Sequence, residues 1–267
     1  MLIYPTIKQA PIAGLSGFGG GTSSLVTTGG PSGPKIPSSA SHFWDFTHSH
    51  EDLVGNIHFD VNTDEMELNQ NLDSIGGPPG YTKSGLLADV EAFADKYQTS
   101  SDSIPDMSGD FTFDVCSYNP HPVNSSQNIV WCVRGDANSS HWEWYIYNYH
   151  GGARFDTANT SWNGRIGEAG GSSGDNYVED KWCVSRLRRS SDTVYCKWYQ
   201  QSGNSWADSG NEFSGSVSGA GPNISNSNVG RILLNGNQGT GYSVTNLRIA
   251  WMAFYSSSVT ATPWTGS

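Results

Sequence analysis

The chain has 267 residues, with 14 Lys+Arg against 25 Asp+Glu and a formal net charge of -11. Charged residues make only 15%, apolar residues 36%, and there are 32 glycines, 10 tryptophans and 12 tyrosines; this composition excludes a disordered chain and a helical bundle and points to sheets and turns around a real core. The acidic balance excludes nucleic acid as a partner, because phosphate binding needs clustered Lys and Arg, and no apolar run approaches the ~18 residues of a membrane span.

Residues 1–41 stand apart. They hold 5 of the 12 prolines, 8 glycines and 7 serines, with only Lys8 and Lys35 charged. GFGGGTSS and GGPSGPKIPSS have linker composition and cannot form a core alone. The opening MLIYPTIKQAPIAGL lacks the basic and continuous apolar regions of a signal peptide. Residues 1–41 therefore read as an extended anchoring arm, expected to pack along neighbouring subunits of an assembly or along its own domain. Residues 42–267 read as one β-sandwich.

From His42 onward, alternating runs rich in Val, Ile, Trp and Tyr are separated by Gly, Ser and Asn turns. They predict strands over Phe43–Thr47, Asn56–Val61, Asp110–Cys116, Ile129–Arg134, Trp142–Tyr149, Lys181–Leu187, Thr193–Tyr199, Arg231–Asn235 and Asn246–Tyr255. Ser84–Tyr97 spaces Leu86, Leu87, Val90 and Phe93 as one helix face would, and fits two strands equally well. In DFTFDV, Phe111, Phe113 and Val115 share the core face, and Thr112 and Asp114 the other. In NLRIAWMAFYS, strict alternation sets Leu247, Ile249, Trp251 and Ala253 against Arg248, Ala250, Met252 and Phe254. Both sets are nearly all apolar, as in the central strand of a two-layer sandwich.

The four cysteines, Cys116, Cys132, Cys183 and Cys196, lie inside strand-like runs without metal-type spacing and read as small buried hydrophobes. Arg186, Arg188 and Arg189 form the one basic cluster and read as a hairpin end. The glycosylation sequons at Asn124, Asn138, Asn159 and Asn223 carry little meaning without a secretion signal.

Four stretches, in order over about residues 42–256, resemble the concanavalin A-like lectin/glucanase sandwiches of the laminin G-like group. HFWDFT with DLVGNIHFD looks like their opening strand, and SGDFTFDVCSY like an inner strand. KWCVSRLRRSSDTVYCKWY looks like a hairpin of theirs, and ILLNGN with NLRIAWMAFYS like their closing strands. The resemblance implies an all-β jelly-roll sandwich of two antiparallel sheets, and it favours strands over a helix at Ser84–Tyr97. That fold serves lectins, glycosidases and inert spacers, so it does not choose among functions. The Gly-rich leader is similar to those of bacteriophage virion proteins.

A glycosidase of this family would carry E-x-D-x-x-E or E-x-D-x-E on one strand, two carboxylates within catalytic reach. The sequence has no such run; Glu65 and Glu67 lack the central Asp and read as an exposed turn. GxSxG and HExxH are absent, and His48 and His50 flank a turn. No cofactor is expected, although Asp136 with Asn138, or Asp175 with Asn176, could supply oxygens to a structural calcium ion.

HWEWYIYNYH is the most informative run. If extended, Trp142, Trp144 and Ile146 face the core, while Glu143, Tyr145, Tyr147 and Tyr149 share the other face. Such a tyrosine ladder suits glycan binding or a subunit interface, since tyrosine rings stack on apolar sugar faces while their hydroxyls hydrogen-bond. The alternative is plain packing on both faces. Trp162 and Arg165 in TSWNGRIG, and Trp206 in GNSWADSG, are weaker loop candidates. The expected function is a non-enzymatic virion surface protein, a capsid decoration or tail-fibre component. It would be a homo-oligomer held to neighbouring subunits through residues 1–41, with a cell-surface glycan as a possible ligand. The alternatives are a free carbohydrate-binding module and a divergent glycoside hydrolase.

Overall fold

A computed structural model describes residues 35–59, 66–67, 75–81, 86–88, 97–98, 104–119, 129–137, 140–147, 153–157, 160–166, 180–209, 212–216, 230–234 and 247–266. All lie in the unit Pro34–Ser267. Residues 1–34, most of the expected arm, fall outside them. Every regular element among the described residues is a strand. In chain order these are β1 (His42–Asp45), β2 (Met66–Glu67), β3 (Leu86–Ala88), β4 (Tyr97–Gln98), β5 (Phe111–Asn119), β6 (Ile129–Ala137), β7 (Ser140–Tyr147) and β8 (Ala153–Thr157). There follow β9 (Thr160–Ile166), β10 (Lys181–Ser190), β11 (Thr193–Ser202), β12 (Ser205–Asp208), β13 (Phe213–Ser216), β14 (Gly230–Leu234) and β15 (Leu247–Tyr255).

The strands form two antiparallel sheets. One has nine strands in the order β12-β11-β10-β5-β15-β3-β2, with β1 also on β15 and β13 also on β11; the other has six, β4-β14-β6-β7-β8-β9. Their facing sides share one apolar core. Phe111, Phe113, Val115, Leu187 and Trp198 come from the larger sheet, and Trp131, Val133, Ile232 and Leu234 from the smaller. The protein is an all-β sandwich, as the sequence predicts. Within Ser84–Tyr97, Leu86–Ala88 forms β3 and Tyr97 begins β4, which belong to different sheets; residues 84–85 and 89–96 lie outside the described residues.

β15 departs from strict alternation. Ile249 pairs with Ser117 but Trp251 with Cys116, so Ala250 is an extra residue. Its carbonyl accepts from Phe46 N (2.9 Å). One inserted residue exchanges the faces of everything after it. Leu247 and Ile249 therefore share the inter-sheet core with Met252 and Phe254. Trp251 and Ala253 join Phe43, Trp182, Tyr199 and Trp206 in a second apolar layer on the opposite side of the larger sheet. The expected partition after Ala250 is thus reversed.

The expected strand Asn56–Val61 is not one over its described residues, 56–59, and Asp52 is the reason. Its carboxylate accepts hydrogen bonds from the backbone N–H of Phe43, Val54, Gly55 and Ile57, and from His42 Nδ1 at 2.6 Å. A side chain that gathers this many local donors builds a loop in place of a ladder. Burial works to raise the Asp52 pKa, but the bonds from His42, Gly55, Phe43 and Ile57 outweigh it and hold the carboxyl below its ordinary value. A depressed folded-state pKa adds stability that is complete above the unfolded value, about 3.9, and is lost as pH falls through the folded one. Asp52→Asn is expected to be less stable at pH 7 and to lose less stability than the parent between pH 5 and pH 2 (about that range). Urea unfolding across that range is the check; parallel pH profiles would refute it.

All four cysteines are buried, and none forms a disulfide. Burial pushes Cys183 and Cys196 up to about 12, so neither is a thiolate near neutral pH.

Candidate functional site

The six-stranded sheet carries the tyrosine run, and its register sorts the faces. Residues directly opposite on antiparallel neighbours lie on one side of a sheet. Trp144 pairs with Val133 and Ile146 with Trp131, and both partners are core residues. These β7 residues thus hold core-side positions. Tyr145 pairs with Cys132. Cys132 and its other partner Leu233 are buried but belong to neither apolar cluster, so Tyr145 lies at an outer-face position. Tyr147 follows on the same face; Tyr149 falls outside the described residues.

The same register continues to the sheet edge. Tyr145 is opposite Arg154 on β8, and Arg154 is opposite Arg165 on β9. One row across the outer face therefore reads Leu233, Cys132, Tyr145, Arg154, Arg165. Its neighbour reads Arg231, Arg134, Glu143, Asp156. Thus Arg165 joins Tyr145 in one row. Trp162 lies in β9 within the stretch between Gly164 and Thr160 where the register to β8 shifts, so the pairing does not place it in Tyr145's row. Both are strand residues, not loop residues as expected. Arg154 was missed by the sequence reading, although ARFDT alternates Arg154 and Asp156 against Phe155. That short alternation was the available signal.

Of the calcium candidates, Asp136 lies within β6 opposite His141, and Asn138, Asp175 and Asn176 fall outside the described residues. Among the described residues no group of three or more His, Cys, Asp or Glu could hold a metal ion. Glu67 is in β2, opposite Leu87; Glu65 is outside the described residues.

Among the described residues, a dense polar arrangement lies on the far side of the larger sheet. Arg186 is not at a hairpin end as expected: it sits mid-strand in β10, opposite Asp114 on β5, and is 2% exposed. Its Nε and Nη2 donate to the two Asp114 oxygens (2.6 and 2.7 Å). Its Nη1 donates to the carbonyls of Ala261 (2.6 Å) and Val259 (3.3 Å). A bidentate pair of this kind is strong and fixed in direction. Arg186 thus ties the segment after β15 across the second apolar layer. Thr112 adds to the clasp, donating to Ser257 O and accepting from Val259 N. Trp264 completes it, with its ring against Phe43, Trp251 and Tyr81 (centroids 5.0, 5.5 and 5.8 Å).

Trp206, expected as a loop candidate for ligand contact, is in β12. It is 6% exposed and donates from Nε1 to Trp264 O (2.7 Å). Its ring is a packing element of this layer and offers no open face to a ligand. The carboxylates here are also committed. Asp114 is held by Arg186, and Asp45 accepts from Thr47 N and Oγ1 and lies 3.2 Å from His48 Nδ1.

No protein-family model matches the chain, and no curated protein matches it by sequence. Solved structures match by fold. Trypanosoma rangeli sialidase aligns with 84% of this chain at TM-score 0.50 and 10% identity, over 31% of its own length. The botulinum neurotoxin serotype D binding domain aligns with 83% at TM-score 0.49 and 11% identity, over 49% of its length. A protein of unknown function from Shewanella oneidensis MR-1 aligns with 86% at TM-score 0.44 and 14% identity, over 93% of its length. The chain spans about a third of the sialidase chain. At such identity the sialidase likeness concerns the β-sandwich fold alone.

Proposed function

We propose that the chain is a non-enzymatic, lectin-like β-sandwich that binds glycans on the outer face of its six-stranded sheet. The observation that carries this reading is the register: Tyr145 and Tyr147 share a face with Arg154 and Arg165 beside them. Tyrosine rings and arginine forks together supply stacking surface and directed donors, the pairing that sugar recognition uses. The similarity in fold to a sialidase accords with it. The finer proposal places the sandwich on a virion surface, as a capsid decoration or tail-fibre component held through residues 1–41. The Gly/Pro-rich composition of that stretch supports this.

A glycan array probed with the full chain tests the binding. Binding is expected, and Tyr147→Ala should weaken it about two- to twelvefold, one ring contact being worth about 0.5–1.5 kcal/mol. An array with no signal at millimolar sugar refutes the glycan reading. Hydrolysis of a bound glycan refutes the non-enzymatic part. A full chain that sediments as a monomer removes the assembly role of residues 1–41.

A further inference from the structure

Residues 256–266 cover the second apolar layer without belonging to either sheet. Side chains of the larger sheet hold this strap by its main chain. Thr112 bonds to Ser257 O and Val259 N, Arg186 to Val259 O and Ala261 O, and Trp206 to Trp264 O. Bonds of this kind give affinity for an extended peptide whatever its sequence, and selectivity comes from side-chain pockets. Here the pocket is aromatic. Pro263 is buried, and the Trp264 ring is seated among Phe43, Trp251 and Tyr81. Between β15 and this anchor, Ser256, Ser257, Thr260, Ala261 and Thr262 are exposed.

The seat is built without help from its occupant. Arg186 is fixed by Asp114, Phe43 belongs to β1 and Trp251 to β15, and Tyr81 ends a turn closed by its own N–H on Pro78 O (2.9 Å). The fit of strap to seat also leaves donors unmet. Trp251, whose ring meets Trp264, and Arg188, which donates from Nη1 to Ser258 Oγ, have Nε1 and Nε buried with no acceptor. Closing over such donors costs stability that opening to water returns. No ladder bond has to break for release, so the strap can open while both sheets stay intact.

We propose that this seat is a peptide-binding site, and that its partner in trans is the same segment, residues 257–264, of a second copy of this chain. The site lies on the larger sheet and does not depend on the glycan reading. An exchanged strap makes the same bonds as the closed one. Protein concentration, set against the local concentration of the tethered strap, decides between the two. Opening exposes Pro263 and Trp264 on one side and Phe43, Trp251 and Tyr81 on the other, and each apolar surface complements the other. Reciprocal exchange joins two copies in a closed, two-fold pair.

A synthetic peptide of residues 257–264 and the full chain test this. In Trp264→Ala the strap has lost its anchor. The peptide is expected to bind this variant, read by fluorescence anisotropy, and to raise its melting midpoint. The same peptide with alanine in place of the tryptophan should bind at least about tenfold more weakly. Gly80→Ala is the second variant and keeps every ring. At Gly80, φ +80, an added Cβ collides with Thr265 O, which unseats the strap just past the stretch the peptide contains. The peptide should bind this variant too. The parent chain, concentrated and warmed below its midpoint, should convert to a dimer in sedimentation, and Trp264→Ala should not. Absence of peptide binding to the folded variants overturns the inference. A parent that stays monomeric, or a dimer that Trp264→Ala forms equally, overturns the second-copy assignment.

Discussion

Asp114→Ala is expected to destabilise the protein by about 3–5 kcal/mol, the cost of leaving one partner of a buried ion pair uncompensated. Asp114 is fully buried and Arg186 is 2% exposed, so water cannot replace the lost carboxylate. Arg186→Met should cost at least as much. It strands the Asp114 carboxylate and also removes the donor to the Ala261 and Val259 carbonyls. A limited-protease digest of Arg186→Met should therefore show cleavage within 256–266 before global unfolding. The double variant, Asp114→Leu with Arg186→Met, removes both charges and should recover part of the loss, because a buried pair is often no better than apolar residues of like volume. Recovery stays incomplete, since those two carbonyls still lack their donor. Urea midpoints of the three variants decide the matter. A shift below about 1 kcal/mol for either single variant would show that the pair is not what holds the segment.

The second large effect is at the centre of the inter-sheet core. Phe113 is fully buried on β5. Its ring contacts Trp131 of the opposite sheet (4.8 Å between centroids), Phe254 of β15 (5.7 Å) and Trp44 of β1 (6.3 Å). Phe113→Ala is expected to cost about 3–5 kcal/mol through lost transfer energy and the cavity left behind. Three large rigid rings line the gap, so it closes poorly. Phe113→Leu keeps most of the volume and should cost markedly less, by the same urea measurement. Equal losses for the two variants would mean that ring contacts, not volume, govern the site.

Period-two patterning made much of this legible in advance. It placed Phe111, Phe113 and Val115 together in the core, and Tyr145 apart from Trp144 and Ile146, because in those runs nothing interrupts the pleat. It failed where a single backbone event overrides the pattern. The extra residue Ala250 carries no signature in an apolar run, since alanine beside tryptophan fits either face. Asp52 turned an expected strand into a loop through bonds to backbone donors three and five residues on, invisible to a search for alternation. The Arg154–Arg165 opposition needed the register of two strands that the sequence reading had not assigned. Trp206 was misread because Gly and Ser neighbours look like a loop, whereas its indole N–H is buried against the chain some sixty residues later.

The place of β1 has a consequence for how the protein comes to be. His42–Asp45 pairs with the stretch Trp251–Phe254, and Ser41 meets Ser256 through their hydroxyls at 2.8 Å, a separation of 215 residues. During synthesis the first strand of the sandwich must wait for the last before it has a neighbour. Trp44 and Phe46 meet Phe59 and Phe113 earlier in the chain, but Phe43 packs on Trp251 and Trp264, which come only with the last described strand and the segment after it. Pairings so distant in sequence slow the search for the native state and lengthen the time such side chains are exposed. The pairing of β1 with β15 thus makes the closing of this sheet a late step in folding.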